Sequence, residues 1–356
     1  MQELTPEFLK EYDSFVRGHA AGGFMQTVEW ARLKKKNGWD SEIVVSRDAE
    51  GKINGSMLIL IRKTPFLPGT YLYCPRGPVC DFKDRETLGK LFAEADKIVK
   101  KYKGCALKVD PYILADDEEA VEMIKSFGFD FIPHAPDLKS AQTRYNYMLT
   151  DIAGKTEEEV FMSFKQKTRY NVRVAQKHGV ECKICGEEAL DEFYRLTKIT
   201  GERDGFTPRP KEYFRDMLRE LGDWCRLYMC YYEGKAVSGA ITTRYGGKTC
   251  YVYGASDNAY RNVMPNYLMQ WEMIKWAIEG GCYQYDFQGI CFWYDENHPL
   301  YGVYRFKKGF NGEVVEFAGD FDKVYRKSVD NTVKFMVEAR KKLFRLRKKV
   351  KKALKR

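Results

Sequence analysis

The stretch "CRLYMCYYEGKAVSGAITTRYGGKTCYVYGAS", Cys225–Ser256, decides the fold. It is rich in aromatic and β-branched residues and is cut twice by turn signals, Glu233-Gly234-Lys235 and Gly246-Gly247. That pattern predicts three consecutive strands. The tripeptide Glu-Gly-Lys also occurs at 50–52, between "SEIVVSRDA" and "INGSMLILIRK". After each copy comes an apolar strand, then a strand bearing Tyr-x-Tyr: Tyr71/Tyr73 in one case, Tyr251/Tyr253 in the other. The shared order of elements predicts a duplicated α/β unit, each copy a mixed sheet covered by helices.

Working outward, "PEFLKEYDSFV" and "MQTVEWARLKKKNG" have helical periodicity, the second closing at Gly38. "RETLGKLFAEADKIVKKY" and "DEEAVEMIKSFGF" read as helices, and "TYLYCP", "CALKVD" and "RYNYMLT" as strands. A boundary is expected near residue 150, giving domains 1–150 and 151–317. Thr156 and Glu159 form a capping box that opens a helix over 157–178, with further helices at 187–200 and 210–220. Pro265 opens another in "NYLMQWEMIKWAIEGG", followed by the strand "YQYDFQG". A strand hairpin, a third strand and then a long helix resemble the acetyltransferase fold of the GNAT type. That fold grips coenzyme A pyrophosphate with a glycine-rich loop at the head of this helix. The corresponding stretch here, "RNVMPNYL" (Arg261–Leu268), has Met264 and Asn266 around a proline that lacks an N–H. The fold expectation survives this substitution; acetyl-CoA as donor does not.

Composition narrows the class further. The 356 residues are 44% hydrophobic and 15% aromatic, enough for large cores, and no run of 18 apolar residues is present. Ten cysteines behind the polar start "MQELTPEFLKEY" imply reduced thiols in the cytoplasm. Cys182 and Cys185 lack further ligands at metal spacing and read as part of the strand "VECKIC". The net charge of +10 is concentrated in "RKKLFRLRKKVKKALKR", residues 340–356, which holds eleven basic residues and no acid. Leu343, Leu346, Val350 and Leu354 would give a helix there a narrow apolar stripe. Such a helix over 336–356 suits the anionic inner face of the membrane, tRNA phosphates, or simple solubilisation.

The segments "FMQTVEWARLKKKNGW", "YCPRGPV", "KVDP", "ERDGFTPRPKEYF", "YVYGAS" and "YRFKKGFNGEVVEFAGDFDKVY" together resemble the FemABX family of peptidoglycan aminoacyltransferases. The resemblance covers most of the chain. It implies two tandem GNAT-like domains without coenzyme A, the first completed by residues 318–335. It also implies transfer of an amino acid from aminoacyl-tRNA to the side-chain amine of the third stem-peptide residue, on lipid II or on UDP-MurNAc-pentapeptide. No heptad run is present in 152–316, so no coiled-coil arm is expected. Two rival readings are an acyl-CoA-dependent N-acyltransferase and a tRNA-dependent enzyme that aminoacylates a lipid or another amine.

The resemblance assigns roles to particular residues. Lys34, Arg209 and Tyr213 are placed at the acceptor, the two cations on its diphosphate, where a guanidinium fork and an ammonium suit phosphate oxygens. Asp110, at the end of "ALKVD", would orient the attacking amine or accept its proton. Simple alternation puts Tyr251 and Tyr253 on one strand face; the resemblance implies substrate binding for Tyr251 and a place beside the reacting centre for Tyr253. In "YRFKKGF", Lys307 would stabilise the tetrahedral oxyanion, a role worth ~3–4 kcal/mol. Phe306 would stack on the terminal adenosine of tRNA at roughly 1–3 kcal/mol, and Lys308 would hold tRNA phosphate. Aminolysis of an activated ester requires neither metal nor cofactor.

Overall fold

The structure is a computed structural model that describes residues 4–64, 69–133, 142–330 and 332. The basic segment 336–356 and its expected helix lie outside the described residues.

In chain order the first half comprises α1 (Pro6–Gly18), α2 (Val28–Lys36), β1 (Asp40–Arg47), β2 (Ile53–Lys63), β3 (Thr70–Cys74) and β4 (Val79–Cys80). It continues with α3 (Arg85–Lys101), β5 (Gly104–Val109), α4 (Glu118–Lys125), β6 (Asp130–Pro133) and β7 (Tyr145–Leu149). The second half comprises α5 (Glu157–Ser163), α6 (Gln166–Lys177), β8 (Glu181–Cys185), α7 (Leu190–Asp204), α8 (Lys211–Leu221), β9 (Cys225–Tyr232), β10 (Lys235–Tyr245) and β11 (Lys248–Ser256). It ends with α9 (Pro265–Glu279), β12 (Gln284–Ile290), α10 (Tyr301–Lys307), β13 (Glu313–Glu316) and β14 (Gly319–Val324). The helix expected over 157–178 is two helices. The Thr156–Glu159 capping box opens the first, and extended backbone at Phe164 and Lys165 separates them.

The duplication is real at the level of strand order. One seven-stranded sheet runs β1-β2-β3-β5-β14-β6, with β4 on β2; the other runs β13-β7-β12-β11-β10-β9-β8. In each sheet an antiparallel hairpin leads to a third strand, and a long helix crosses over to a parallel fourth (β3 to β5 by α3, β11 to β12 by α9). The α/β class with two tandem mixed sheets of matching strand order is therefore the observed one.

One inner strand of each sheet comes from elsewhere in the chain. β14, from the C-terminal side, pairs antiparallel with β5 in the first sheet. β7, assigned from the sequence to the first half, pairs antiparallel with β12 in the second. Its residues Tyr145–Leu149 are all buried there. Each sheet is thus closed by a strand whose neighbours in sequence lie next to the other sheet.

Three buried clusters hold the layers. One packs α3 and α4 on the first sheet, and another packs α5, α6 and α9 on the second. The third joins α1, α2 and β2 to α7, α8, β9 and β10, so the halves share a core. The two Glu-Gly-Lys turns differ: Glu233 and Gly234 both have positive φ, a two-residue hairpin loop, whereas 48–52 is a wider turn capped by Asp48.

Candidate active site: two cation clusters and a buried carboxylate

Lys34 lies in the last turn of α2 and Tyr213 in the first turn of α8, two helices that pack on each other. Lys34 Nζ sits 4.2 Å from the centre of the Trp30 ring and donates to the Tyr213 hydroxyl at 3.4 Å. The Arg209 guanidinium lies 5.2 Å from the Tyr213 ring centre. Burial, and then the charge of Arg209, push the Lys34 ammonium down to about 8. Among the described residues neither cation has a carboxylate within 4 Å. Its neighbour Lys36 is neutralised by Asp216 and Glu220. Two unneutralised cations held against aromatic faces form a ready site for an anion.

Tyr253 joins this group, 6.1 Å from Tyr213 and 5.2 Å from Phe214, ring centre to ring centre. Tyr251 does not, which corrects the expectation that the two share a face. In the β10–β11 ladder Tyr251 opposes Thr242 and Tyr253 opposes Ile241, so Val252 is the extra residue of a β-bulge. The bulge breaks strict alternation. Tyr251 packs on the α9 side with the second sheet's core, and Tyr253 on the α7/α8 side. Gly254 makes room for Tyr251, since a Cβ there would overlap its phenol ring. Gly254→Ala is therefore expected to displace Tyr251 and lower stability by ~1–3 kcal/mol, read from the denaturation midpoint.

Tyr251 faces a cleft of about 1100 Å³ that runs past the head of α9 and along α10. Lys165, Lys167, Arg203, Arg261, Arg305, Lys307 and Lys308 line it, with Asp204 as its one acidic side chain among the described residues. Asp204 is already bound to Arg203. Phe206, Tyr267, Tyr301 and Phe306 add aromatic surface.

"YRFKKGF" ends α10 at Lys307 and continues as a 3-10 turn over Lys308–Phe310, and its rings divide between two duties. Tyr304 and Phe310 belong to the core, Tyr304 against Trp293 and Phe310 against Phe164 and Phe287. Phe306 lines the cleft and packs edge-on to Tyr267, ring centres 4.9 Å apart. Lys308 is exposed, with its ammonium 5.4 Å from the Tyr304 ring centre.

Lys307 is only 5% exposed. Its Nζ donates to the carbonyls of Gln288 and Gly289, at 3.0 and 2.8 Å. Gln288 has φ 61°, and the β12–β7 register breaks between Asp286 and Gly289. Burial pushes Lys307 down to about 8, opposed by the nearby charge of Asp286. Asp286 is itself buried, which raises it to about 6 against hydrogen bonds from Gln288 and Asn146.

Asp110 is fully buried, which raises it to about 6. Tyr73 donates to one of its oxygens and the Arg76 backbone N–H to the other. Each oxygen therefore accepts one hydrogen bond from the protein, and Asp110 holds the turn at Arg76. The three residues expected to share the catalytic work do not share a cavity. Lys307 lines the large cleft, Tyr253 stands with Lys34, Arg209 and Tyr213, and Asp110 lies behind Arg76.

Sequence reasoning passed over Asp286 and Gln288, although an acid inside the apolar strand "YQYDFQG" is a signal in its own right. The head of α9 matches the expectation for its loop. Met264 adopts a left-handed conformation, Pro265 brings no N–H, and the Tyr267 N–H is taken by the Met264 carbonyl. Few backbone donors remain there for a pyrophosphate.

A fold of paired mixed sheets with an open cationic cleft defines the class, and the comparisons give the family. The FemAB family matches residues 8–236 and 230–335, and the chain belongs to it. The chain is 30% identical to lipid II:glycine glycyltransferase of Staphylococcus haemolyticus, over 88% of this chain and 91% of that protein. The same enzyme of Staphylococcus aureus strain USA300 is also 30% identical, with the same two shares. Among solved structures, FemX superposes with a TM-score of 0.84 at 27% identity, covering 93% of this chain and 98% of FemX. L-PGS from Bacillus licheniformis, at 13% identity and a TM-score of 0.52 over 95% of this chain and 97% of its own, shares the fold.

Proposed function

We propose that this protein is a transferase of peptidoglycan synthesis that moves an amino acid from aminoacyl-tRNA to the stem-peptide side-chain amine of lipid II. The observation that carries the reading is the large cleft, whose seven basic side chains face one paired acid, beside aromatic surface. A site of that size and charge suits the end of a charged RNA. The relatives' action on lipid II supports the acceptor, and Lys34 with Arg209 supplies a separate place for its diphosphate.

In this reaction the neutral amine attacks the ester carbonyl. The tetrahedral oxyanion collapses, the ribose oxygen leaves and takes up a proton, and the proton shed by the amine passes to solvent or to substrate phosphate. Lys307, fixed by two carbonyls, is the cation assigned to the oxyanion. Tyr251 and Phe306 line the donor side; Tyr213 and Tyr253 stand with the acceptor's cations. Residues 340–356 are the proposed contact with the membrane that carries lipid II, at the cytoplasmic face.

The deciding experiment offers purified protein a panel of charged tRNAs with lipid II or UDP-MurNAc-pentapeptide and reads the stem peptide by mass spectrometry. Extension of neither acceptor would refute the proposal. Transfer from acyl-CoA instead would establish the rival chemistry.

A pH effect follows from Lys34. It binds phosphate as the cation, and its pKa of about 8 in the free protein means that this charge is lost as pH rises through 8. Acceptor affinity is expected to be flat below pH 7 and to fall above pH 8. In Lys34→Arg, whose guanidinium stays charged, the alkaline fall should vanish. Titration calorimetry across pH 6.5–9.5 checks both curves.

A further inference from the structure

Between the first-half loop Ala21–Met25 and the second sheet lies a small cavity of about 50 Å³. Arg76, Tyr112, Gln142, Lys248, Asp286 and Gln288 are among the side chains that line it. Arg76 is unusual in three respects. Its φ is 53°, in the left-handed region, and its backbone N–H is held there by the buried Asp110. Its guanidinium is stacked 4.3 Å from the centre of the Phe317 ring. No nitrogen of that guanidinium donates a hydrogen bond to any described residue, no described carboxylate lies within 4 Å, and Nη1 is wholly buried.

Arg76 is half-buried, and its buried Nη1 is left without a partner, which is costly because that donor loses its hydration and gains nothing back. Asp110 and Asp286 act on the Arg76 guanidinium by charge, without a hydrogen bond to it. Lys248 donates to the carbonyls of Ala20 and Gly22 and adds a second positive charge. Asp286 is engaged by Asn146 and Gln288. The Gln288 carbonyl accepts from Lys307, which lines the reaction cleft. A backbone held in a rarely used conformation around an unpaired cation marks a position kept for a ligand.

We infer that Arg76 is a specificity-determining binding residue that receives a carboxylate of the peptide acceptor. This rests on the proposed function and deepens it. A carboxylate fits the space and matches the planar fork of the guanidinium in a bidentate pair. An acceptor peptide carries such groups within a few residues of its reactive amine, and two residues of extended chain reach about 7 Å.

The test uses the full chain and synthetic muramyl-diphosphate pentapeptides, either with all carboxylates free or with each amidated in turn. Binding is measured for the wild type, Arg76→Gln, Arg76→Lys and Lys34→Met, with thermal unfolding as the check on folding. In the wild type, amidation of one carboxylate is expected to weaken binding at least roughly tenfold. The position that responds identifies which carboxylate is bound. Arg76→Gln should bind the free and amidated forms equally, Arg76→Lys should keep part of the preference, and Lys34→Met should weaken all forms by one factor. A wild type indifferent to every amidation, or an Arg76→Gln protein that keeps the preference, would overturn the inference. Absence of all acceptor binding by the wild type would instead bring down the transferase reading on which it rests.

Discussion

Lys307→Met is expected to lower single-turnover amino-acid transfer by about 10²–10³-fold, the loss typical of one oxyanion donor. The reason lies in how the ammonium is held. Two of its three N–H groups go to the carbonyls of Gln288 and Gly289, which fix its position and leave one for the reaction. The charge that makes it useful is lost as pH rises through about 8. Methionine fills much of the same space but leaves both carbonyls without that donor, so a stability loss of ~1–3 kcal/mol should accompany the kinetic one. Lys307→Arg separates the two effects: it keeps a donor for the carbonyls while moving the charge, so it should refold more of the stability than of the rate. The measurement is rapid-quench transfer from pre-bound aminoacyl-tRNA, beside urea denaturation of each variant. A rate within twofold of wild type in Lys307→Met would remove Lys307 from the chemistry.

Lys34→Met and Arg209→Met are each expected to raise the acceptor's Kd by roughly tenfold to a hundredfold, with turnover at saturating acceptor nearly kept. A charge-assisted hydrogen bond is worth ~1.5–3 kcal/mol, and here it is made before the chemical step. The stability signature runs the other way. Lys34 has a folded pKa of about 8, below its unfolded value near 10.5. Folding is therefore penalised by this charge below pH 8, and the penalty is relieved between about pH 8 and 10.5. Removing the ammonium at pH 7 should leave the protein as stable as before or more so, because methionine can keep the contact with Trp30 and Tyr213 while the repulsion from Arg209 disappears. Losing a structural lysine would do the reverse. Equal acceptor affinity in wild type and Lys34→Met would place the diphosphate elsewhere.

The site was legible where its signal was local. Arg209, assigned by the family resemblance, lies between Pro208 and Pro210, which stiffen its backbone. Arg76 stands in a similar setting, between Pro75 and Pro78, and the same rule applied to "YCPRGPV" would have found it. Lys34 could not be told from Lys35 and Lys36 by spacing; helix packing alone sets it against Trp30 and Tyr213 and gives Lys36 to Asp216 and Glu220. Tyr251 and Tyr253 were read by alternation, which the bulge at Val252 defeats. Nothing in "KTCYVYGAS" announces a bulge, because it arises from how two strands pair.

Periodicity, turn residues and capping are properties of neighbouring residues. They were sufficient by themselves for the two α/β units, the hairpins around both Glu-Gly-Lys turns, the Thr156 cap and the helix opened by Pro265. The passage of β7 into the second sheet, the Val252 bulge, the turn of Gln288 toward Lys307 and the unpaired Arg76 Nη1 belong to tertiary structure alone. Each depends on which distant backbone or ring comes to lie alongside, and that is set by burying three cores at once.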